Sequence, residues 1–393
     1  MNRFIPYGRQ CIENDDIEAV ISVLKNDFIT TGPKVAEFEE SICEKCGSKF
    51  ASVVSSGTAA LHLASLALLK PKDRVLVTPN TFLSTVNAIL YANATPVFVD
   101  IDKEGNIDLD RCYEMLGEDP SIKALYGVHF SGNMINQQKL KKIKDEFDIT
   151  ILEDCAHSLG AFEKNTKAGS CENSDVSILS FHPVKHITTG EGGAVTTNRK
   201  DIYDKIISLR NNGTVRDSFE NIKLAFDKNG NKNPWYYEMQ QLGFNYRITD
   251  IQCALGLSQI KKLDRFLKHR HRIAKRYDEA FKDNRIIQPL YYHKEGAAYH
   301  LYVVKIDFSQ LKITRAELFS SMRQRGIGLQ VHYIPVYKQP YYRKMGFKVS
   351  LPNCEQYYKS CVSLPIYYML TEREQDFVID NLMNLIKKNE VSK

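Results

Sequence analysis

Between residues 50 and 200 two patterns alternate along the chain. Short apolar runs rich in Val, Ile, Leu and Phe occupy 50–55, 74–78, 95–99, 124–129, 150–153, 177–181 and 193–197. Runs of that length and composition predict buried strands. The segments between them, such as 59–69 and 83–91, place apolar residues at helical spacing. Strands alternating with helices predict an α/β fold: a large, mainly parallel seven-stranded sheet with helices on both faces. Past Arg199 the pattern changes. Residues 212–240, with Gly213, Gly230, Asn229, Asn231, Asn233 and Pro234, read as a long polar loop. A helical stretch over 248–281 is predicted to break at Lys261-Lys262, and 299–306 and 327–332 look β-like with a helix over 314–325 between them. The expected organisation is a large α/β domain over 1–254, followed by a smaller α+β domain over 255–393.

Composition narrows the possibilities. With 43% hydrophobic and 25% charged residues the chain forms a large core. The formal charge of +6 suits anionic small molecules, but no basic stripe interleaved with aromatics marks a nucleic-acid surface. Nine cysteines without regular spacing point to a reducing compartment. Cys43 and Cys46 have CxxC spacing but no matching ligand pair nearby, so no metal is expected, and the pair fits helix packing over 35–46 beside Phe38 and Ile42. Residues 1–10 lack the apolar run of a signal peptide, and no segment approaches the ~20 apolar residues of a membrane span. The expected location is the cytoplasm.

Three segments carry chemistry. In Ser55-Ser56-Gly57-Thr58-Ala59-Ala60-Leu61 a strand runs into a helix, whose first N–H groups and Thr hydroxyl suit a phosphate; an ordinary helix cap has the same pattern. In Glu153-Asp154-Cys155-Ala156-His157 a buried strand delivers a carboxylate at its end. Thirty-one residues on, Lys185 stands in Ser180-Phe181-His182-Pro183-Val184-Lys185, ahead of three glycines at 190, 192 and 193. A desolvated lysine amine condenses with an aldehyde. A carboxylate against a pyridine nitrogen keeps such a cofactor ring electron-withdrawing.

Taken in order, these segments resemble the sugar aminotransferases of the DegT/DnrJ/EryC1/StrS family. The likeness runs from Ile5-Pro6-Tyr7-Gly8 to about Pro365 and is most specific at 55–61, 153–161, 180–198 and 243–263. It implies the aspartate-aminotransferase-like (type I) fold and pyridoxal 5'-phosphate (PLP) as cofactor. Some members that act as dehydratases have His where this chain has Lys185, so the resemblance implies transamination. Within the family, residues 326–337 and 181–185 are similar to the 4-aminotransferases of pseudaminic acid biosynthesis. That implies a UDP-linked 4-keto-6-deoxy sugar as acceptor and L-glutamate as donor. His186, His129 and the longer 212–240 loop depart from that branch. Another nucleotide-keto-sugar, of bacillosamine or legionaminic type or with a 3-keto group, stays open. A non-catalytic regulator of the same fold would have lost Lys185 or Asp154.

Residue by residue, the resemblance implies Lys185 as covalent cofactor ligand and proton carrier, Asp154 at the ring nitrogen, Phe82 on the ring face and His157 beside the ring. Gly57, Thr58 and Ser180 hold the phosphate. Asn245 reaches it from the partner subunit of a homodimer with shared sites. Tyr7, Phe28, Ile29, Thr30, Arg247, His332 and Tyr333 meet the nucleotide-sugar. Its pyrophosphate needs cations or donors, which His332 and Arg247 can supply, and a buried structural role for His332 stays equally open.

Overall fold

The computed structural model describes residues 4–25 and 28–391. Its largest sheet contains β1 (Phe50–Val54), β2 (Arg74–Val77), β3 (Thr95–Phe98), β4 (Ile122–Val128), β5 (Thr150–Asp154), β6 (Val176–Ser180) and β7 (Gly193–Thr197), in spatial order β1-β7-β6-β5-β4-β2-β3. All seven predicted runs are strands. The five from β3 to β6 pair in parallel, whereas β7 is antiparallel to both β6 and β1. The reversal follows from the 181–192 connection, which carries no helix and therefore no parallel crossover.

Alternation along the strands sorts side chains to two faces. On β2, Val75 and Val77 join Val54, Ile178 and Val195 beneath Ala60, Leu63 and Ala64 of the Gly57–Leu68 helix. Leu76 points the other way, into a core with Leu125, Ile151, Leu116, Leu140 and Ile143. Each such side chain contributes about 1.5–3 kcal/mol through burial.

A second, antiparallel sheet contains β8 (Ile287–Pro289), β9 (Tyr302–Ile306) and β10 (Cys361–Leu364). Tyr277 and Phe281 of the Leu263–Phe281 helix, and Val378 and Leu382 of the Glu372–Asn389 helix, pack on Val304 and Ile306. The predicted 248–281 stretch does break at the lysine pair, into Asp250–Ile260 and Leu263–Phe281. The Arg315–Gln324 helix starts with a capping box between Thr314 and Glu317. The 327–332 segment is not a strand. It makes isolated bridges, Ile327 to Ile5 and Gln330 to Ser363, and then turns its side chains toward the sheet ends. The first bridge carries the N-terminal segment into the second core, where Ile5 is buried beside Ile327.

Two other segments are held in specific ways. The buried carboxylate of Asp250 accepts the N–H of Gly32 at 2.8 Å and of Lys34 at 2.9 Å, at the start of the Pro33–Cys46 helix. Hydrogen bonds to a charged group contribute about 1.5–3 kcal/mol each. Gly32 is required there, because a Cβ would lie 2.7 Å from Asp250 Oδ1. The predicted loop 212–240 is not structureless: Thr214–Val215 pairs with Glu238–Met239, Ile222–Ala225 is helical, and Phe219 meets Tyr236 edge-on at 4.9 Å. It leaves Trp235, Tyr237 and Met239 exposed, with Leu242 just beyond.

Cys46 is buried with Phe38 and Ile42 on the Pro33–Cys46 helix, as the CxxC reading expects. Every cysteine except Cys43 is buried, and all nine are free thiols. Among the described residues no helix is long and apolar enough to cross a membrane.

The last of the three glycines lets β7 pass the start of the Gly57–Leu68 helix. A Cβ on Gly193 would lie 2.5 Å from Ser56 O and 2.7 Å from Gly57 N. Gly193→Ala is expected to destabilise the protein by about 1–3 kcal/mol through overpacking. The measurement is the urea midpoint at constant slope; an unchanged midpoint would show that the helix start yields freely.

Candidate active site

A cavity of about 550 Å³ opens where the carboxyl ends of β4, β5 and β6 meet the 330–333 segment. In open α/β sheets ligands bind in this crevice. Ten of the residues singled out from sequence line it: Tyr7, Gly57, Thr58, Phe82, Asp154, His157, Ser180, Lys185, His332 and Tyr333.

One wall is the start of the Gly57–Leu68 helix. Ser56 Oγ accepts the Ala59 N–H at 3.1 Å, which leaves the N–H groups of Gly57 and Thr58, without intrahelical partners, for a ligand. Thr58 Oγ1 lies 2.8 Å from Ser84 Oγ. A Cβ on Gly57 would stand 3.0 Å from Ser180 Cβ, so glycine brings the helix start and the end of β6 together around a small anion.

Asp154 closes the floor. Its Oδ2 accepts from Thr85 Oγ1 at 2.7 Å and its Oδ1 from the Ala156 N–H at 3.0 Å. Thr85 Oγ1 in turn lies 2.8 Å from Thr81 Oγ1, four residues earlier in the turn that leads into the helix. Burial pushes the Asp154 carboxyl up, against the pull of these donors and of the charges on Lys185 and His129. Desolvation not fully offset within the chain suits a cationic N–H arriving in the cavity.

Lys185 stands on the loop after β6. Burial pushes its amine down to about 8, with the Asp154 charge opposing the shift. Near neutral pH a useful fraction is therefore the free, nucleophilic amine.

Tyr333, His157 and His332 form the facing wall. His157 Nε2 is 3.1 Å from the Tyr333 hydroxyl, and its buried Nδ1 has no hydrogen-bond partner. Placing the ring proton on Nε2, where it has an acceptor, leaves the Tyr333 O–H free to donate into the cavity. His332 Nδ1 lies 2.8 Å from Ser363 Oγ, and burial pushes this imidazole down to about 3. Burial thus favours the neutral ring, so what His332 has to offer a ligand is a donor or acceptor nitrogen rather than a charge. Phe82 remains 59% exposed at the mouth, which leaves a ring face for a planar ligand.

The other residues singled out lie elsewhere. Thr30 bridges to Thr249, Ile29 O accepts the Asp250 N–H at 3.1 Å, and Phe28 is exposed beside them. Asn245 bridges to Asn211, whose Oδ1 also accepts from Arg247 Nη1. None of these five lines the cavity of its own chain. Sequence reading missed Thr85, Ser84, His300, Gln330 and Glu191. Thr85 was discoverable, since it sits four residues after Thr81, on the face that carries Phe82. Glu191 and Gln330 lie within the segments that carry the resemblance, at 180–198 and 326–337, but nothing in the residues themselves marks them, nor Ser84 and His300.

The donor set fits PLP: anion-binding N–H groups with Ser180, a carboxylate for a ring nitrogen, an aromatic face, and a lysine of lowered pKa. Comparison with known proteins agrees. The model of the DegT/DnrJ/EryC1/StrS aminotransferase family matches residues 10–383. A UDP-4-amino-4,6-dideoxy-N-acetyl-beta-L-altrosamine transaminase of Campylobacter jejuni is 38% identical over 388 residues, 98% of each chain. The structure of Helicobacter pylori PseC, an aminotransferase involved in the biosynthesis of pseudoaminic acid, superposes with a TM-score of 0.90 at 29% identity, covering 98% of this chain and 100% of that one. The PLP form of Spr1654 from Streptococcus pneumoniae gives 0.86 at 27%, covering 98% and 99%. Matched along nearly its whole length, this chain belongs to the DegT/DnrJ/EryC1/StrS aminotransferase family and is a PLP-dependent aminotransferase.

Proposed function

We propose that this enzyme moves an amino group from L-glutamate to the C4 keto group of a nucleotide-linked 4-keto-6-deoxy sugar. The acceptor we favour is UDP-2-acetamido-2,6-dideoxy-β-L-arabino-hexos-4-ulose, as in pseudaminic acid formation. The observation that carries the reading is one cavity joining an anion cradle, a buried carboxylate and a lysine poised near neutral pH. Similarity over 98% of the chain to a transaminase named for such a sugar supports the substrate class.

Bound PLP supplies an aldehyde carbon that carries the amino group and a pyridine ring that draws electrons from it. The protein does the rest. Gly57 and Thr58 N–H groups and Ser180 hold the phosphate. Asp154, oriented by Thr85 and Ala156, keeps a proton on the ring nitrogen. Lys185 Nζ takes up and returns the proton that moves during transfer. Tyr333 donates from its hydroxyl to an oxygen in the cavity, and Tyr7, 5.4 Å from the His332 ring, frames the sugar side.

The working unit we infer is a homodimer with shared sites. Among the described residues Lys185 is the only Lys or Arg lining the cavity, although two anionic groups are to bind there. Asn245, Arg247 and residues 28–30 form a separate cluster close to the exposed Leu242. In a two-fold dimer the cluster of one copy reaches the cavity of the other.

A coupled assay over UDP-, GDP- and dTDP-linked keto-sugars, with NMR of the product, tests the substrate. Turnover with glutamate is expected to be highest for the UDP 4-keto-6-deoxy sugar; preference for a 3-keto sugar would reject the assignment.

The charge roles of Asp154 and Lys185 are separable. Asp154→Asn is expected to lower kcat on the order of 10²-fold. In cofactor-stripped protein the rate of PLP recapture should rise with pH through about 8 as Lys185 loses its proton. Since the Asp154 charge raises the Lys185 pKa, the inflection should move to lower pH in Asp154→Asn. An inflection that stays put would uncouple the two groups.

Shared sites are tested by mixing Lys185→Ala with Asn245→Asp subunits. The heterodimer should regain part of the activity, because one site keeps Lys185 with a wild-type Asn245 from across the interface. Failure of a verified heterodimer to exceed either parent would exclude Asn245 from the neighbouring site.

A further inference from the structure

Arg270 is 2% exposed on the Leu263–Phe281 helix, and among the described residues it has no carboxylate in ion-pair distance. Buried charges are ordinarily paired. This guanidinium instead gathers backbone carbonyls: Nη1 donates to Tyr299 O at 3.1 Å, His300 O at 3.2 Å and Ile366 O at 3.1 Å. The gathered segment is locked from its other side as well. Ala298 N–H donates to Gly132 O at 2.8 Å, Ser131 Oγ donates to Leu301 O at 2.8 Å, and a Cβ on Gly132 would meet Tyr299 N and His157 O, each at 2.8 Å. The result is a packed pair of imidazoles. The His300 ring lies 4.3 Å from that of His157, tilted by 34°, and both Nδ1 atoms are buried without a hydrogen-bond partner.

We infer that Arg270 and His300 are positioning residues for the transamination: the Arg270 clamp seats the His300 ring under His157, fixing that imidazole, uncharged, beside the cofactor. This rests on the proposed PLP-dependent function and on His157 lying beside the cofactor ring, as the family resemblance implies. Each Nδ1 is buried with no acceptor in reach, so it tolerates a lone pair but not a proton, which would be left unpaired. The charged neighbours push the same way. Lys185 and His186 on the 181–193 loop, His332 on the 330–333 segment and Arg270 on its helix are the positive or protonatable groups around the pair. Asp154 on β5 and Glu191 on the 181–193 loop are the acids that line the same cavity, and Tyr333 lies at Nε2. Fixed in this way, His157 always presents Nε2–H to Tyr333, so the tyrosine proton always points to the cavity.

The experiment follows the His157 ring by NMR of histidine-labelled holoenzyme, together with kcat and KM against pH, in wild type, His300→Ala, His300→Phe and Arg270→Gln. Wild-type His157 should stay neutral well below the pH at which a free imidazole titrates, because burial pushes its pKa down. In His300→Ala it should titrate toward the ordinary ~6.5, with kcat lower on the order of tenfold and its acid limb moved up, at unchanged glutamate KM. His300→Phe, which restores a ring beneath His157, should recover most of kcat, and Arg270→Gln should behave as His300→Ala if it folds. Equal kcat in the Ala and Phe variants, or an unmoved His157 titration in His300→Ala, would overturn the inference. Borohydride fixation of PLP on Lys185 in each variant separates that outcome from failure of the site assignment itself, which would label another residue.

Discussion

The structure depends on holding Asp154 and Lys185 at one cavity without letting them neutralise each other. Their strands are neighbours, since β5 and β6 pair in parallel with Asp154 opposite Ile178, so the fold brings both to the same edge of the sheet. Thr85 and the Ala156 N–H occupy the carboxylate, while burial weakens the hold of the amine on its proton. An ion pair between them would satisfy both and leave an inert core. Keeping them apart leaves a cavity that is electrostatically unfinished, and PLP finishes it, with a cation for the carboxylate and a carbonyl carbon for the amine.

Much of this was legible from residue order because the chemistry lies at strand ends. Short apolar runs locate the strands, and polar residues at their carboxyl ends lie where the sheet meets its cavity, as Asp154 and Ser180 do. The reversal of β7 was not legible, because an apolar run has no direction. Nor was the place of 327–332, whose β-like composition serves two isolated bridges and a turn. His300 escaped notice for a different reason. Its part in the cavity is set by Arg270, thirty residues earlier on a helix of the second core, and no local spacing encodes a contact made through backbone carbonyls.

The two cores meet at the cavity, and the contacts there are mostly polar and specific. Tyr333 N–H donates to Asn80 Oδ1 at 3.2 Å and the Tyr357 hydroxyl to His332 O at 2.7 Å, while Asp100 accepts the N–H groups of Asn353 and Cys354. Side-chain to backbone bonds of this kind fix direction more than they add stability, since each contributes only about 0.5–1.5 kcal/mol net. The cavity walls are therefore registered against each other by a set of weak constraints, each of which orients one functional side chain.

The distribution of cysteine has a practical corollary. With every thiol but Cys43 shielded, and burial raising the pKa of residues such as Cys171 and Cys361 to about 11, native protein offers reagents almost no thiolate. A sulfhydryl reaches solvent only when the segment over it opens. Cys171 reports on the strands around the cofactor loop, Cys361 on β10 and Cys112 on the outer helices. The molecule thus carries its own set of clocks, and the order in which alkylating reagent accumulates at these positions would rank the parts of the fold by how often they come undone.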